Sequence, residues 1–203
     1  MELFPLFLKL EGRPCLVVGA GRVAESKVWS LLRCGARVRV VAPEATEALR
    51  HAAQMGQIAW ERRTFLREDL AGTFLVVAAT SSPALHESIF RSAQAQGILC
   101  NAVDEPERCD FFYPAVVRRG PLQIAISTSG QAPVLAQRIR EDLERHFAPE
   151  YGPWVEAVGQ ARTELLATEL ATEERIGALR ALSSDQAFEE FRAKAATAGK
   201  EPA

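Results

Sequence analysis

Apolar runs of strand length alternate with stretches of helical period through the first half of the chain. Residues 15–18 are apolar throughout. After glycines at 19 and 21 the apolar positions recur at Val23, Val28, Leu31 and Leu32, the spacing of one helix face. Gly35 stops that helix, and 36–43 reads as a second strand. A helix follows from Ala45 to about Met55, closed by Gly56, and 58–63 alternates like a strand. Residues 64–70 form a short connection, and 74–80 is wholly apolar, the pattern of a strand buried on both faces of a parallel sheet. Ser81 or Ser82 ahead of Pro83 caps a helix running to about Gln96, and 98–103 is a further strand ending at Asp104. This alternation predicts a parallel sheet with right-handed crossovers. Ahead of it, 4–10 reads as an edge strand or an arm.

The pattern changes after Cys109. Residues 111–117 and 122–127 read as strands joined through 118–121, a hairpin instead of another crossover. Pro133 opens a helix to about Phe147. From Tyr151 the apolar stripes are helical, with breaks near Thr172 and Ser183, and 195–203 reads as a frayed end.

Chemistry concentrates at the first turn. Gly19-x-Gly21-x-x-Ala24 between a strand and a helix is the dinucleotide fingerprint: Gly19 permits the turn, Gly21 lets a pyrophosphate approach the backbone, and Ala24 lets helix pack on strand. The free N–H groups of the new helix then face the phosphates. The acidic residue that usually ends the second strand is replaced by Ala42 and Pro43, with Glu44 just beyond, so this spot leaves NAD and NADP both open. Ligands of such sheets gather at the carboxyl ends of the strands, here around Gly19–Val23, Pro43–Glu44, Thr80–Ser82 and Asn101–Asp104.

Composition narrows the class. With 203 residues, 48% of them apolar, and a formal charge of −2, the chain has room for a real core and no bias toward nucleic acid. No early segment reads as an export signal or membrane span, so the cytoplasm is the expected compartment. Cys15, Cys34, Cys100 and Cys109 lack C-x-x-C spacing and read as free thiols, not a metal site. His51, His86 and His146 read as structural.

Asp104, at a strand end on the ligand side, is the candidate acid/base; a turn aspartate ahead of Pro106 is the plainer alternative. Asn101 lies on the same segment. Ser127, Thr128 and Ser129 form a hydroxyl-rich loop ahead of a helix, suited to capping or anion binding. No histidine stands beside them to activate a hydroxyl. Arg118, Arg119, Arg138 and Arg140 are candidates for binding substrate carboxylates, with solvated surface charge as the alternative.

Taken together, these segments resemble the precorrin-2 dehydrogenase family, which includes the dehydrogenase/ferrochelatase portion of siroheme synthases. The resemblance covers about residues 3 to 147 and rests on 4–8, 17–24 with Lys27, 35–43, 78–80, Asn101-Ala102-Val103-Asp104, 111–115 and 124–136 leading to Ile139-Arg140-Glu141. It implies an α/β fold with a Rossmann-like NAD-binding domain at 1–112, a small α+β dimerisation segment at 113–147 and a helical C-terminal domain at 148–203. It also implies NAD-dependent oxidation of precorrin-2 to sirohydrochlorin by a homodimer, and leaves open whether Fe2+ insertion accompanies it.

By this resemblance Arg22, Val23, Pro43 and Glu44 contact the cofactor and Asp104 is the functional aspartate. Ser26 stands where many relatives have arginine, Ala132 replaces a frequent serine, and Thr128 occupies the place of a serine that some siroheme synthases phosphorylate. The chain stops where fused enzymes begin a methyltransferase domain, so that activity is expected from another protein. The rival from another class is a nucleotide-sensing module without catalysis, supported by the fold alone.

Overall fold

The uninterrupted apolar runs become the middle of a sheet. A computed structural model describes residues 2–198, which divide into two compact units, Glu2–Tyr113 and the chain from Pro114 onward. In the first unit the order is β1 (Pro14–Val18), α1 (Arg22–Arg33), β2 (Arg37–Val41), α2 (Glu47–Gln54), β3 (Ala59–Glu61), β4 (Leu75–Ala78), α3 (Pro83–Gln94) and β5 (Leu99–Ala102). All five strands are parallel, in the order β3-β2-β1-β4-β5. The strand order reverses between β1 and β4, the place where sheets of this kind hold ligands.

Register explains why β1 is apolar throughout. Val17 stands between Val40 and Val77, and successive side chains alternate between two cores. Cys15, Val17, Val40 and Val77 meet Ala24, Val28 and Leu31 of α1 and Leu49 and Ala52 of α2. Leu16, Val18, Val76 and Ala78 meet Ile89 and Ala93 of α3 on the other face. Each fully buried valine or leucine contributes about 1.5–3 kcal/mol.

The boundaries move where a cap or an edge decides them. Thr46 Oγ1 accepts the Leu49 N–H at 3.3 Å, so α2 begins at Glu47 and not at Ala45. Ser82 Oγ accepts from Leu85 N–H at 3.3 Å, which selects Ser82 over Ser81 as the cap of α3. Residues 4–10 are an arm: they enter no strand ladder, Leu10 is buried, and Phe4 and Phe7 are exposed.

The second unit opens with the antiparallel pair β6 (Ala115–Arg119) and β7 (Leu122–Ile126), followed by α4 (Pro133–His146), α5 (Tyr151–Leu166), α6 (Thr172–Leu182) and α7 (Asp185–Ala198). Two expectations shift here. Residues 111–114 are not strand, and Arg118 and Arg119 belong to β6, leaving Gly120 and Pro121 as a two-residue turn with Gly120 at φ 54°. Of the expected frayed end, 195–198 are helical and 199–203 lie outside the described residues. The aromatic ring of Tyr151 packs on Phe188 at 4.2 Å and on Phe147 at 5.0 Å, joining α4, α5 and α7. No helix among the described residues is long and apolar enough to cross a membrane.

Candidate functional site

The β1–α1 turn is built by contact with its neighbours. Gly19 has φ 100°, and a Cβ there would lie 2.2 Å from Ala79 O, so only glycine fits. Its N–H donates to Val41 O at 2.9 Å, while Ala79 N–H donates to Val18 O at 2.8 Å. Gly21 differs. It is the N-cap of α1 with φ −79°, no side chain caps the helix, and a Cβ built on it would meet nothing within 4 Å.

That open space beside the start of α1 fits a dinucleotide pyrophosphate, which would lie over the first-turn N–H groups of Arg22 and Val23. Arg22 and Val23 are both exposed. The β2–α2 loop is tied alongside: Thr46 N–H donates to Ala20 O at 3.0 Å, Trp60 Nε1 to Ala42 O at 3.0 Å and Arg62 Nε to Pro43 O at 3.4 Å. Pro43 and Glu44 are thereby held exposed at the tip of β2.

Behind this loop Asp69, only 4% exposed, draws in Arg39 and Arg63, both of which also reach Glu61. The Arg63 hydrogen bond holds the Asp69 carboxyl below the usual carboxylate range. This cluster anchors β3 and the turn at 67–70 under the loop.

At the tips of β4 and β5 stand Thr80 and Asp104. Asp104 is exposed, with φ 63°, a left-handed conformation that aspartate tolerates better than most residues. Lys27, one turn into α1 beyond Val23, places its Nζ 3.8 Å from the centre of the Tyr113 ring. Burial lowers the Lys27 pKa, with the charge of Asp104 opposing that shift.

Several expected substrate contacts are committed elsewhere. Asn101 is buried, and its Nδ2 donates to Phe111 O at 2.8 Å and approaches Cys109 Sγ at 3.3 Å. It fastens the returning chain to β5, because a polar side chain on a buried strand must find a partner. Arg119 is likewise engaged within the fold. Its guanidinium donates to Phe147 O at 2.7 Å and to Glu144 O at 2.9 Å, the free carbonyls at the exit of α4.

Arg118 is exposed, with Nη1 on Gln123 Oε1 at 2.7 Å. Ser127 Oγ accepts from Ser129 N–H at 3.1 Å, and Thr128 Oγ1 accepts from Ala132 N–H at 3.2 Å, so both hydroxyls shape the loop ahead of α4. Arg138 lies exposed on α4, 3.9 Å from Asp142. The five-residue strand β7 separates the Arg118 and Arg119 end of the hairpin from Ser127 and Thr128 by about 15 Å. The hairpin arginines and the two loop hydroxyls thus stand at opposite ends of β7.

Sequence reasoning read His86 as structural but did not supply its partners. It is 3% exposed, its Nε2 accepts the Thr80 N–H at 3.2 Å, and its Nδ1 lies 2.9 Å from Glu105 Oε1. The signal was its position in the stripe His86, Ile89, Ala93 on the buried face of α3. All four cysteines are free, and among the described residues no group of three or more His, Cys, Asp or Glu gathers as a metal site.

Residues 6–115 match a family model described as "Putative NAD(P)-binding", and residues 119–146 match one described as "Sirohaem biosynthesis protein central". Siroheme synthase 1 of Serratia proteamaculans is 43% identical over 165 residues, covering 81% of this chain and 35% of that protein. Siroheme synthase 1 of Yersinia enterocolitica is 44% identical over 162 residues, 80% of this chain and 34% of its own length. The chain thus spans about a third of the length of these curated relatives. A solved structure described as "SirC, precorrin-2 dehydrogenase" superposes with a TM-score of 0.78 at 27% identity, covering 95% of this chain and 98% of that one.

Proposed function

We propose, for a chain that belongs to the NAD(P)-binding family through residues 6–115 and carries the sirohaem-biosynthesis central segment after it, the NAD-dependent oxidation of precorrin-2 to sirohydrochlorin. The observation that carries this reading is the likeness to the SirC precorrin-2 dehydrogenase along nearly the whole of both chains. The space beside Gly21 adds a physical reason, since it suits a pyrophosphate at the start of α1.

Oxidation removes a hydride and a proton from the macrocycle, and bound NAD supplies the hydride acceptor. The chain's own residues do the rest. Gly19 and Gly21 bring the α1 N–H groups to the pyrophosphate, with Arg22 and Val23 beside it. Pro43 and Glu44 border the adenosine end, and Thr80 borders the nicotinamide end. Asp104 takes the proton that the macrocycle loses as the hydride leaves, acting as general base. Arg118 and Arg138, the arginines left exposed, are the remaining candidates for the substrate's peripheral carboxylates.

The working unit is a homodimer assembled through the segment 113–147, a reading supported by the exposure of Val134 and Leu135 on α4. Its compartment is the cytoplasm. Light scattering on the eluted protein reads the dimer directly; a monomer at micromolar concentration removes it.

Purified protein given precorrin-2 and NAD is expected to yield sirohydrochlorin and NADH in equal amounts over many turnovers. Asp104→Ala is expected to keep nucleotide affinity and lose turnover at least a hundredfold, the usual scale of a general base. Nucleotide binding without turnover favours the sensor reading instead. Metal insertion, which the name siroheme synthase favours among the relatives, needs a group that takes up pyrrole protons, and Asp104 is placed for that too. Adding Fe2+ and sirohydrochlorin to the same protein tests it.

A further inference from the structure

The parallel ladder between β4 and β5 ends at the pair Ala78 and Ala102, and the Val103 N–H to Ala78 O bond at 2.9 Å is the last backbone link on that edge. Thr80 and Asp104 both lie beyond it. What spans the gap is the His86 side chain from α3, between the Thr80 N–H and the Glu105 carboxylate. With Nε2 accepting, the ring proton resides on Nδ1 and is donated to Glu105, so a neutral imidazole satisfies both ends. Burial lowers the His86 pKa, in keeping with a neutral ring.

The bridge is itself braced. Glu105 pairs with Arg108, whose Nε reaches Glu87 Oε2 at 2.5 Å, one residue along α3 from His86. The path returns to the helix it left. Asp104, next to Glu105, holds a positive φ that a non-glycine residue keeps only where its surroundings fix it.

We infer that His86 is a positioning residue that fixes the spacing between the Thr80 and Asp104 backbones by bridging the Thr80 N–H to the Glu105 carboxylate. This deepens the proposed function and rests on it for the kinetic readout alone. The two ends can be cut separately. In His86→Gln the amide reaches the Nε2 position and can still accept from Thr80. In His86→Asn the amide nitrogen takes the Nδ1 position and still donates to Glu105.

With the full chain, NAD and precorrin-2, His86→Gln is expected to keep the NAD Kd within about twofold and lose about tenfold in kcat, the scale of one buried hydrogen bond. His86→Asn is expected to weaken the NAD Kd about fivefold with the smaller loss in kcat. Glu105→Gln, which keeps an acceptor for Nδ1–H, should retain more kcat than Glu105→Ala. In the free protein the Thr80 amide should exchange slowly in wild type and in His86→Gln and fast in His86→Asn, and the imidazole 15N shifts should report the Nδ1–H tautomer.

Wild-type kcat and NAD Kd in both His86 variants, or Thr80 exchange indifferent to His86, overturn the assignment. A wild-type protein that neither binds NAD nor turns over defeats the proposed function instead. The exchange and tautomer measurements then still decide the role of His86.

Discussion

Replacing Gly19 with alanine would place a methyl group 2.2 Å from Ala79 O and 2.8 Å from Ala79 C, both backbone atoms of the segment following β4. Neither can turn aside as a side chain would. Restoring contact means opening β1 from β4 by about 1 Å where both strands are fully buried, an overpacking cost of about 1–3 kcal/mol. The φ of 100° adds about 1–2 kcal/mol for any residue with a Cβ. Together these come to about 2–5 kcal/mol. With a urea slope of about 1–2 kcal/mol/M for a unit of this size, the midpoint of the Glu2–Tyr113 transition should fall by about 2 M. Trp29 and Trp60 fluorescence reports it.

Gly21→Ala supplies the contrast. Its φ of −79° suits alanine and the added Cβ meets nothing, so the urea midpoint should move little, by about 0.5–1 kcal/mol for the poorer cap. NAD affinity should instead fall on the order of a hundredfold, through loss of charge-assisted bonds from the α1 N–H groups to phosphate. A Gly19→Ala protein with the wild-type midpoint, or a Gly21→Ala protein with wild-type NAD affinity, refutes the assignment of the two glycines.

Three further outcomes are expected. Asp69→Ala leaves Arg39 and Arg63 without their shared buried acceptor and should destabilise the first unit by about 2–3 kcal/mol, read as a shifted urea midpoint. His86 has a folded pKa below its unfolded value of about 6.5, so the stability its neutral ring contributes is complete above that pH and is lost as pH falls from there through the folded value. The thermal midpoint should therefore decline from pH 7.5 to 5.5 more steeply in wild type than in His86→Gln, and equal declines contradict the buried neutral ring. At the hairpin turn a Cβ on Gly152 would lie 3.2 Å from Gly120 N and from the Arg119 carbonyl carbon, so Gly152→Val should cost about 1–3 kcal/mol, read by Trp154 fluorescence on unfolding.

The first unit was legible in the sequence because its determinants are local. Residues 15–18 and 75–78 are apolar without alternation since both faces of those strands are covered, and Gly19 marks a turn whose geometry admits nothing larger. The reading failed where a residue's role is set from far along the chain. Phe111 and Tyr113 look like strand residues, yet they pack on the first core while the Phe111 carbonyl is taken by Asn101. Arg119 looks like a free cation until the exit of α4 folds beneath it, 25 and 28 residues on. His86 was visible as a polar residue on an apolar face, but its partners come from two other segments.

The clasp of Arg119 on the last turn of α4 makes hairpin and helix a single lever. The same two elements meet again at their other end through the Ser127–Ala132 loop, so hairpin and helix are tied at both ends. Neither element can therefore be repacked without carrying the other with it.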